Sequence, residues 1–276
     1  MQFTKMHGLG NDFILTEPAA GDGGEYGKRA CKLCDRHTGI GADGLVLVLP
    51  SEQADFRMRI FNADGSEPEM CGNAIRCFAK YVYERGLTEQ TDLKVETLAG
   101  IIKPRILTED GSVTGVRVDM GKPQLDRTDI PMVGPAGPVI NETFSVGGET
   151  LSISGLRMGV PHMIVWEEIV TVERMERLGA LMEVDPAFPQ RTNVNFAEVL
   201  NRDEIAVRTW ERGVGPTLAC GTGACATGVA ASMAGLTGNT VTVHLALGDL
   251  LIEWAENGHV YMTGPAAEVF TGEIHI

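Results

Sequence analysis

The chain has 276 residues, of which 43% are hydrophobic, and its 37 acidic and 23 basic residues give a net charge of −14 at pH 7. A charge of this sign repels nucleic acid and anionic lipid surfaces, so neither is expected as a partner. At about 100–200 residues per domain, the length favours two domains.

Short runs of β-branched and apolar residues, punctuated by glycine turns, predict many strands. Helices are few, and three of the four are expected to end at a glycine, which readily adopts the conformation that closes a helix. Many strands with few helices indicate an α+β chain. In chain order, the clearest predicted elements are a helix over 26–36, a strand over 44–49, a helix over 73–85 ending at Gly86, a strand over 113–118, a helix over 171–178 ending at Gly179, a strand over 205–208, a helix over 222–234 ending at Gly235 and a strand over 240–243.

A repeat within the sequence predicts a duplicated domain. Shifting the chain by 149 residues places Cys71-Gly72 on Cys220-Gly221 and Arg59 on Arg208. In both places a β-type run and a polar loop precede the Cys-Gly pair, and a helix of small residues follows it. The segment 123–138 contains four prolines and no periodic pattern, so it is predicted to be a loop or linker near the midpoint. We therefore expect two similar halves, with the functional site between them.

Cys71 and Cys220 are each predicted to lie at the first turn of a helix. The first amides of a helix have no intrahelical partner and carry the positive end of its dipole, so a thiol there is expected to have its thiolate stabilised. The residues that follow are small, which leaves room for a carboxylate to approach the same amides. These residues are Gly72, Asn73 and Ala74 in the first half, and Gly221, Thr222 and Gly223 in the second.

Two thiols in equivalent positions suit a reaction that inverts a stereocentre beside a carboxylate. One group must remove the proton from one face of the carbon while another delivers a proton to the opposite face. At rest one sulfur must be a thiolate and the other a thiol, so their titrations are expected to be coupled. The helix amides would stabilise the charge that the carboxylate gains.

The remaining cysteines favour structural roles. The chain is expected to be cytoplasmic, because it has no apolar run of about 20 residues and no secretory signal, so reduced thiols are expected. Cys77 and Cys225 do not share a helix face with Cys71 and Cys220, and we interpret them as buried small residues. Cys31-x-x-Cys34 is interpreted as one turn of a packed helix, and no metal site is predicted. A thiol metal or redox protein, built from Cys31, Cys34, Cys71 and Cys77, is the alternative from a different class.

Several motifs spread over nearly the whole chain carry a family resemblance. They are Gly8-Leu9-Gly10-Asn11-Asp12-Phe13, Asp35-Arg36-His37, Gly39-Ile40-Gly41-Ala42-Asp43-Gly44, Phe61-Asn62-Ala63-Asp64-Gly65-Ser66, Met70-Cys71-Gly72-Asn73, Glu211-Arg212-Gly213, Ala219-Cys220-Gly221-Thr222-Gly223 and Thr263-Gly264-Pro265-Ala266. Taken together, these motifs resemble the diaminopimelate epimerase family. The resemblance implies two pseudo-symmetric α+β domains, each a curved mixed β-sheet wrapped around a central α-helix, over 1–120 with 264–276 and over 121–263. It also implies an amino-acid substrate, catalysis without a cofactor, a role in lysine and peptidoglycan precursor synthesis, and a possible homodimer.

The same resemblance implies the site residues. Cys71 and Cys220 match the catalytic cysteines. Apart from the resemblance, Glu211 and His162 are interpreted as residues that assist proton movement around the thiols. Each binding residue also has a structural alternative: Asn62 could order a turn, Arg212 could form a surface ion pair, and His162 could be a core histidine with its hydrogen bonds satisfied. The residues that match the family's substrate-binding positions are Asn11, Asn62, Gly72, Asn73, Asn193, Glu211, Arg212, Gly221 and Thr222.

One departure from the family pattern concerns substrate identity. The family usually reads Gly-Asn-Pro-His where this chain has Gly159-Val160-Pro161-His162, and valine cannot donate the hydrogen bond that the asparagine gives to the distal end of diaminopimelate. A related two-thiol racemase of histidine, proline or hydroxyproline is therefore the nearest alternative. The proline and hydroxyproline enzymes usually have a histidine after their first Cys-Gly, whereas this chain has Asn73.

Overall fold

A computed structural model describes residues 1–18 and 24–275. The helices are Tyr26–Leu33 (α1), Gly72–Glu84 (α2), Val172–Glu183 (α3) and Gly221–Met233 (α4). The strands are Gln2–Gly8 (β1), Asn11–Thr16 (β2), Gly44–Leu49 (β3), Phe56–Asn62 (β4), Val95–Thr97 (β5), Gly100–Ile102 (β6), Arg105–Glu109 (β7), Ser112–Asp119 (β8), Val139–Val146 (β9), Glu149–Met158 (β10), Val160–Glu167 (β11), Asn193–Asn201 (β12), Glu204–Glu211 (β13), Gly215–Thr217 (β14), Thr240–Leu245 (β15), Gly248–Trp254 (β16), Val260–Gly264 (β17) and Ala267–Glu273 (β18).

The chain divides into two compact units. The first comprises residues 1–118 with 264–276. Its main sheet has the order β18-β1-β2-β3-β4-β5-β6, and β7 and β8 pair as an antiparallel hairpin. The pairings of β2 with β3 and of β4 with β5 are parallel, and the pairings of β1 with β2 and of β3 with β4 are antiparallel, so the sheet is mixed.

The second unit, residues 119–263, repeats this arrangement. Its strands follow the order β9-β10-β11-β12-β13-β15-β16-β17, with β14 added beside β13. Here β11 pairs with β12 and β13 with β15 in parallel, whereas β10 pairs with β11 and β12 with β13 in antiparallel fashion. The mixed sheets and few helices confirm the predicted α+β class.

The duplication that the sequence predicts is visible in the elements themselves. Helices α2 and α4 are both 13 residues long and begin at residues 72 and 221, which are separated by the 149-residue offset. Strands β1, β2, β3 and β4 correspond at the same offset to β10, β11, β12 and β13. The two units are therefore pseudo-symmetric in topology, as expected.

Each unit has one helix at its centre. Helix α2 packs against strands β1 to β4, and α4 packs against strands β10 to β13 as well as β15 and β16. Ten of the thirteen residues of α4 are buried, which requires small side chains on every face of the helix. The sequence of α4 satisfies this requirement with alanine, glycine, cysteine, threonine and valine.

The helix ends were predicted with mixed success. Gly86 and Gly235 follow α2 and α4 with φ of +69° and +70°, the left-handed conformation expected where a helix stops. Helix α1 ends at Leu33 rather than at residue 36, because Ile40 and Gly41 fold back and donate backbone hydrogen bonds to the Leu33 carbonyl.

The predicted end of α3 at Gly179 was wrong. Helix α3 continues to Glu183, and Gly179 lies inside it. A Cβ atom at Gly179 would lie 2.7 Å from Cβ of Trp210, so glycine is needed there for close packing and not for a turn.

None of the helices in the part of the chain that the structure describes is long and apolar enough to cross a membrane.

Candidate active site

Cys71 lies immediately before the first residue of α2. Its backbone is extended, with φ of −141° and ψ of 122°, and its carbonyl accepts a hydrogen bond from the Ile75 amide at 3.0 Å, so it is the N-cap residue. The side chain is half-buried. The amides of Gly72 and Asn73 follow at the start of the helix, where they have no intrahelical acceptor.

Two of the predicted binding residues lie beside this cysteine. The Asn73 side-chain amide donates to Asn11 Oδ1 at 3.0 Å, and the same oxygen lies 3.9 Å from Cys71 Sγ. Asn11 in turn donates to a carboxylate oxygen of Asp43 at 2.8 Å. The structure therefore brings Cys71, Asn73 and Asn11 together.

Asn62 occupies the turn that follows β4. Its side chain donates to Ser66 Oγ at 3.0 Å, and its carbonyl accepts from the Gly65 amide at 2.9 Å. These hydrogen bonds are the ones expected if Asn62 has a structural role and orders the turn. A binding role for Asn62 would have to use its remaining hydrogen-bonding capacity.

Cys220 lies at the equivalent place before α4. Its backbone is also extended, with φ of −120° and ψ of 105°, and its Sγ lies 3.5 Å from Thr222 Oγ1. Only 6% of the residue is exposed. Burial raises the pKa of the Cys220 thiol and the charge of Glu211 raises it further, whereas bonds to Thr222 and to the Gly223 amide lower it.

The Gly223 amide at the helix start lowers the pKa of Cys220, as predicted, but the low overall pKa expected for a thiol in this position does not result. Burial destabilises the thiolate of Cys220 by more than the bonds to the Thr222 hydroxyl and the Gly223 amide stabilise it. Cys220 is a neutral thiol at neutral pH.

His162 is fully buried on β11. Its Nδ1 is 3.2 Å from the side-chain nitrogen of Asn195, which can only donate, so Nδ1 is the acceptor and Nε2 carries the hydrogen. Burial, together with the positive charge of Arg212, lowers the pKa of His162 to about 3. His162 is therefore a neutral imidazole, and its Nε2 has no hydrogen-bond partner among the described residues, unlike a core histidine with its hydrogen bonds satisfied.

Asn193 and Arg212 are joined through the backbone. Asn193 Oδ1 accepts from the Arg212 amide at 2.8 Å, and its nitrogen donates to the Pro161 carbonyl at 3.1 Å. The Arg212 side chain donates to the Gln190 carbonyl at 2.9 Å rather than to an acid. Asn193 thus fixes the turn that carries Arg212.

Glu211 lies at the end of β13, two residues after Thr209. Its carboxylate accepts a hydrogen bond from Thr217 Oγ1 at 2.6 Å, and its charge acts on Cys220. A carboxylate held in this position can influence the protonation of the nearby thiol.

Sequence reasoning missed two residues of the second unit. Asn195 bonds to His162 and accepts from Thr209 Oγ1 at 3.0 Å, and a Cβ built at Gly223 would lie 2.4 Å from Asn195 Oδ1. Asn195 therefore lies beside the start of α4. The alternation Asn193-Val194-Asn195 could have revealed it, since residues two apart in a strand share a face.

The second missed residue is Glu183, at the end of α3. Its carboxylate accepts hydrogen bonds from the Trp210 indole at 2.8 Å, the Gly213 amide at 2.9 Å and Arg191 at 3.3 Å. Burial alone would raise the pKa of Glu183, but these bonds lower it overall. Glu183 thus fixes the turn that follows Glu211, and nothing local in the sequence indicates this.

The other cysteines differ from the two at the helix starts. Cys34, Cys77 and Cys225 are buried, as expected for the last two, and burial raises the pKa of Cys34 and Cys77 to about 12. Cys31 is exposed. The described residues contain no group of three or more histidine, cysteine, aspartate or glutamate side chains placed to hold a metal ion.

Comparisons with known proteins show which family this chain is similar to. Residues 3–125 and 156–269 match the family model described as diaminopimelate epimerase. The chain is 58% identical to the diaminopimelate epimerase of Moorella thermoacetica over 278 residues, which cover 99% of each chain. It is 56% identical to the diaminopimelate epimerase of Heliobacterium modesticaldum over 279 residues, again covering 99% of each chain.

Solved structures with lower sequence identity share the fold. A phenazine biosynthesis protein of the PhzF family from Bacillus anthracis aligns with a TM-score of 0.74 at 19% identity and covers 100% of this chain and 99% of its own. A hydroxyproline epimerase from Agrobacterium vitis aligns with a TM-score of 0.66 at 17% identity and covers 99% and 91%. At these identities the likeness concerns the fold alone.

Proposed function

Because the chain belongs to the diaminopimelate epimerase family, we propose that it interconverts LL- and meso-diaminopimelate by two-base proton transfer, in which one of Cys71 and Cys220, as a thiolate, removes the α-proton and the other, as a thiol, delivers a proton to the opposite face. The protein is then an isomerase that needs no cofactor and that supplies precursors of lysine and peptidoglycan. The two compact units act as its two domains. Assembly as a homodimer and a cytoplasmic location belong to the same proposal.

One observation carries the proposal beyond family membership. Each unit places a cysteine at the N-cap of its central helix, at positions related by the internal repeat. A two-base epimerisation needs one proton donor and one proton acceptor of similar chemistry, because the reaction runs in both directions. Equivalent thiols on two copies of one fold meet this need.

The resting protonation states follow from the surroundings of the two thiols. The pKa of Cys220 is raised by burial and by Glu211, so we assign Cys220 as the proton donor of the resting enzyme. Cys71, which is less buried, is then the thiolate that removes the α-proton. After one turnover Cys71 carries the proton removed from the substrate and Cys220 is a thiolate, and the reverse reaction restores the first state.

The starts of the two central helices would bind the substrate's α-carboxylate. Their first amides donate without an intrahelical competitor, and the helix dipoles favour an anion. As the proton leaves, negative charge flows into the carboxylate, so these bonds strengthen along the reaction. The residues assigned to this role are Gly72, Asn73, Gly221 and Thr222.

The remaining assignments concern the rest of the substrate. Asn11, Asn62, Asn193 and Arg212 are proposed to hold its amino groups and distal carboxylate. Glu211 acts on the protonation of Cys220, to which its charge is coupled. His162, which is neutral, can donate a hydrogen bond from Nε2 but cannot supply a positive charge at neutral pH.

The first test measures the fate of the α-hydrogen. Incubating LL-diaminopimelate with the enzyme in heavy water is expected to give meso-product labelled with deuterium at the inverted carbon, because the thiol that delivers the new hydrogen has already exchanged with solvent. Cys71→Ala and Cys220→Ala are each expected to reduce epimerisation by at least about 10³-fold, since each removes one of the two proton-transfer groups. Product stereochemistry and mass spectra report both quantities.

Cys31→Ala supplies the matched control, because Cys31 is an exposed cysteine of the same unit as Cys71. It is expected to retain the activity of the unmodified enzyme. Epimerisation that survives Cys220→Ala, or product that keeps the substrate hydrogen in every molecule, would exclude the two-thiol mechanism.

Substrate identity needs a separate assay because of Val160. A chirality-sensitive panel of diaminopimelate, histidine, proline and hydroxyproline is expected to show deuterium uptake with diaminopimelate at a kcat/KM well above that for the others. Faster exchange with histidine or proline would retain the two-thiol chemistry and reject the proposed substrate.

A further inference from the structure

A chain of hydrogen bonds at the start of α2 joins a buried cation to a carboxylate. Arg76, which is fully buried, donates from Nη2 to Asn73 Oδ1 at 2.9 Å. Asn73 donates to Asn11 Oδ1 at 3.0 Å, and Asn11 donates to Asp43 Oδ2 at 2.8 Å. We call these four residues, Arg76, Asn73, Asn11 and Asp43, the amide relay.

The charges at the two ends of the amide relay determine which way the side-chain amides between them are turned. A guanidinium can only donate, so Asn73 must turn its oxygen towards Arg76 and its nitrogen towards Asn11. An ionised carboxylate can only accept, so Asn11 must turn its nitrogen towards Asp43. Both constraints leave Asn11 with its carbonyl oxygen facing Asn73 and, at 3.9 Å, the sulfur of Cys71.

We infer that Asp43 is a positioning residue for Cys71 and that it acts through Asn11, whose carbonyl oxygen it holds against the Cys71 sulfur. An acceptor in this place receives a hydrogen bond from the neutral thiol but offers none to a thiolate. It therefore favours the protonated form of Cys71. The amides at the helix start act in the opposite direction.

Asp43 is itself held by a cluster of charged side chains. Arg36 donates to Asp43 Oδ1 at 2.8 Å and forms a two-point ion pair with Asp12, at 3.0 and 2.7 Å. Asp12 also pairs with Lys5 at 2.7 Å. Burial alone would raise the pKa of Asp12, but the bonds from Arg36 and Lys5 hold it far below its usual range. The carboxylate end of the amide relay is thus fixed in place on two sides.

The second unit shows that the fold does not require the amide relay. At the 149-residue offset, the residues equivalent to Asn11, Asp43, Asn73 and Arg76 are Val160, Thr192, Thr222 and Cys225. These side chains include no charge and no amide, yet the same strands and helix form around Cys220. The relay is therefore specific to the surroundings of Cys71.

The role of the amide relay in catalysis rests on the proposed function. A thiol that alternates as base and acid works best when its pKa lies near the operating pH. The Asn11 oxygen accepts a hydrogen bond only from the protonated Cys71 and so favours its acid form, whereas burial favours the acid form of Cys220.

The test measures the pKa of Cys71 in the resting protein, without substrate. The rate of alkylation by iodoacetamide is followed against pH, and the modified Cys71 peptide is quantified by mass spectrometry. Asp43→Asn removes the ionised end of the relay and permits Asn11 to turn its N–H towards the sulfur, so the pKa of Cys71 is expected to fall by about one unit. Asn11→Leu removes the acceptor and is expected to lower the pKa as well.

The double variant separates action through Asn11 from a direct effect of the Asp43 charge. In the Asn11→Leu background, Asp43→Asn is expected to shift the pKa of Cys71 by less than about a third of its effect in the natural sequence, because the relay is already broken. An equal shift in both backgrounds would overturn the inference, and so would an unchanged pKa in Asp43→Asn. The single variant Asn11→Leu is a second, independent test. A pKa of Cys71 that does not fall in this variant would show that the Asn11 oxygen has no effect on the Cys71 thiol.

Two controls are available in the same unit. Glu67→Gln removes one partner of the two-point Arg59–Glu67 ion pair, at 2.7 and 2.8 Å, without touching the relay, and is expected to leave the pKa of Cys71 unchanged. Alkylation of the exposed Cys31 in each variant reports any general change in reactivity. Since alkylation needs no turnover, its outcome is independent of the deuterium test of the proposed function.

Discussion

His162 illustrates how a single buried side chain can have a chemical state that its sequence context does not indicate. The Pro161-His162 motif suggests a site histidine, which would ordinarily titrate near neutral pH. In the structure, burial has the larger effect and the positive charge of Arg212 the smaller, and together they lower the pKa of His162 to about 3. Any role for His162 in proton movement is therefore that of a neutral donor.

This state predicts a pH dependence of stability. Between its ordinary pKa of 6.5 and the folded value of about 3, His162 binds a proton in the unfolded chain but not in the folded one. The free energy of unfolding is therefore expected to fall as the pH drops below about 6.5, with a slope of up to about 1.4 kcal/mol per pH unit from this residue.

Urea unfolding of the protein and of His162→Gln at several pH values from 7 to 5 measures this contribution. His162→Gln is expected to show the shallower pH slope, whatever its stability at pH 7. Equal slopes would mean that His162 titrates alike in both states.

At the scale of secondary-structure elements, packing distinguishes glycines that have the same local sequence pattern. Gly86, Gly179 and Gly235 each follow a helical pattern, and each was predicted to end a helix. Gly86 and Gly235 do, whereas Gly179 lies inside α3 against Trp210. The difference comes from a tryptophan on a strand 31 residues further along the chain, which no local pattern includes.

Gly179→Ala is expected to destabilise the protein by about 1–3 kcal/mol, because the new methyl group overlaps the Trp210 side chain close to the backbone. Helix propensity alone predicts the opposite sign, a gain of about 1 kcal/mol. Denaturant unfolding followed by circular dichroism gives the sign directly. Ala180→Gly, at the adjacent exposed position, is the control and is expected to lose about 1 kcal/mol through propensity alone. A stabilised Gly179→Ala would contradict the packing account.

At the scale of the whole molecule, paired and hydrogen-bonded carboxylates occur in both units. The pKa values of Asp12 and Asp64 in the first unit and of Asp126, Glu149 and Glu183 in the second lie below their ordinary values. A lowered folded pKa contributes stability above the unfolded pKa, and this stability is lost as the pH falls through the folded value. Acid below about pH 4 is therefore expected to destabilise the whole molecule.

Asp12→Asn tests the largest of these contributions. The amide cannot form ion pairs with Arg36 and Lys5, so the variant is expected to lose about 1.5–3 kcal/mol at pH 7. Its stability is also expected to fall less steeply than that of the natural sequence as the pH drops below 4. Urea unfolding at pH 7 and at steps down to pH 3 measures both effects, and parallel pH curves for the two proteins would refute the assignment to Asp12.

The sequence by itself determined the α+β class, the internal repeat, the family and the placement of Cys71 and Cys220 at helix starts. These features are encoded locally or by a fixed offset, in Cys-Gly pairs, helix-ending glycines and runs of β-type residues, so they can be read without coordinates. It also suggested binding roles for Asn62 and Asn193, whose side chains in the structure order a turn and fix a backbone, and their roles at a substrate remain predictions.

Only the tertiary structure decided which thiol is buried and neutral, which nitrogen of His162 carries the hydrogen, and how Asn11 is oriented against Cys71. Each of these depends on removal of water or on a partner far away in sequence, such as Asp43 for Asn11 or Glu183 for the turn after Glu211. Burial and long-range pairing arise when the sheets and helices pack, and the pKa values and amide orientations of the site follow from that packing.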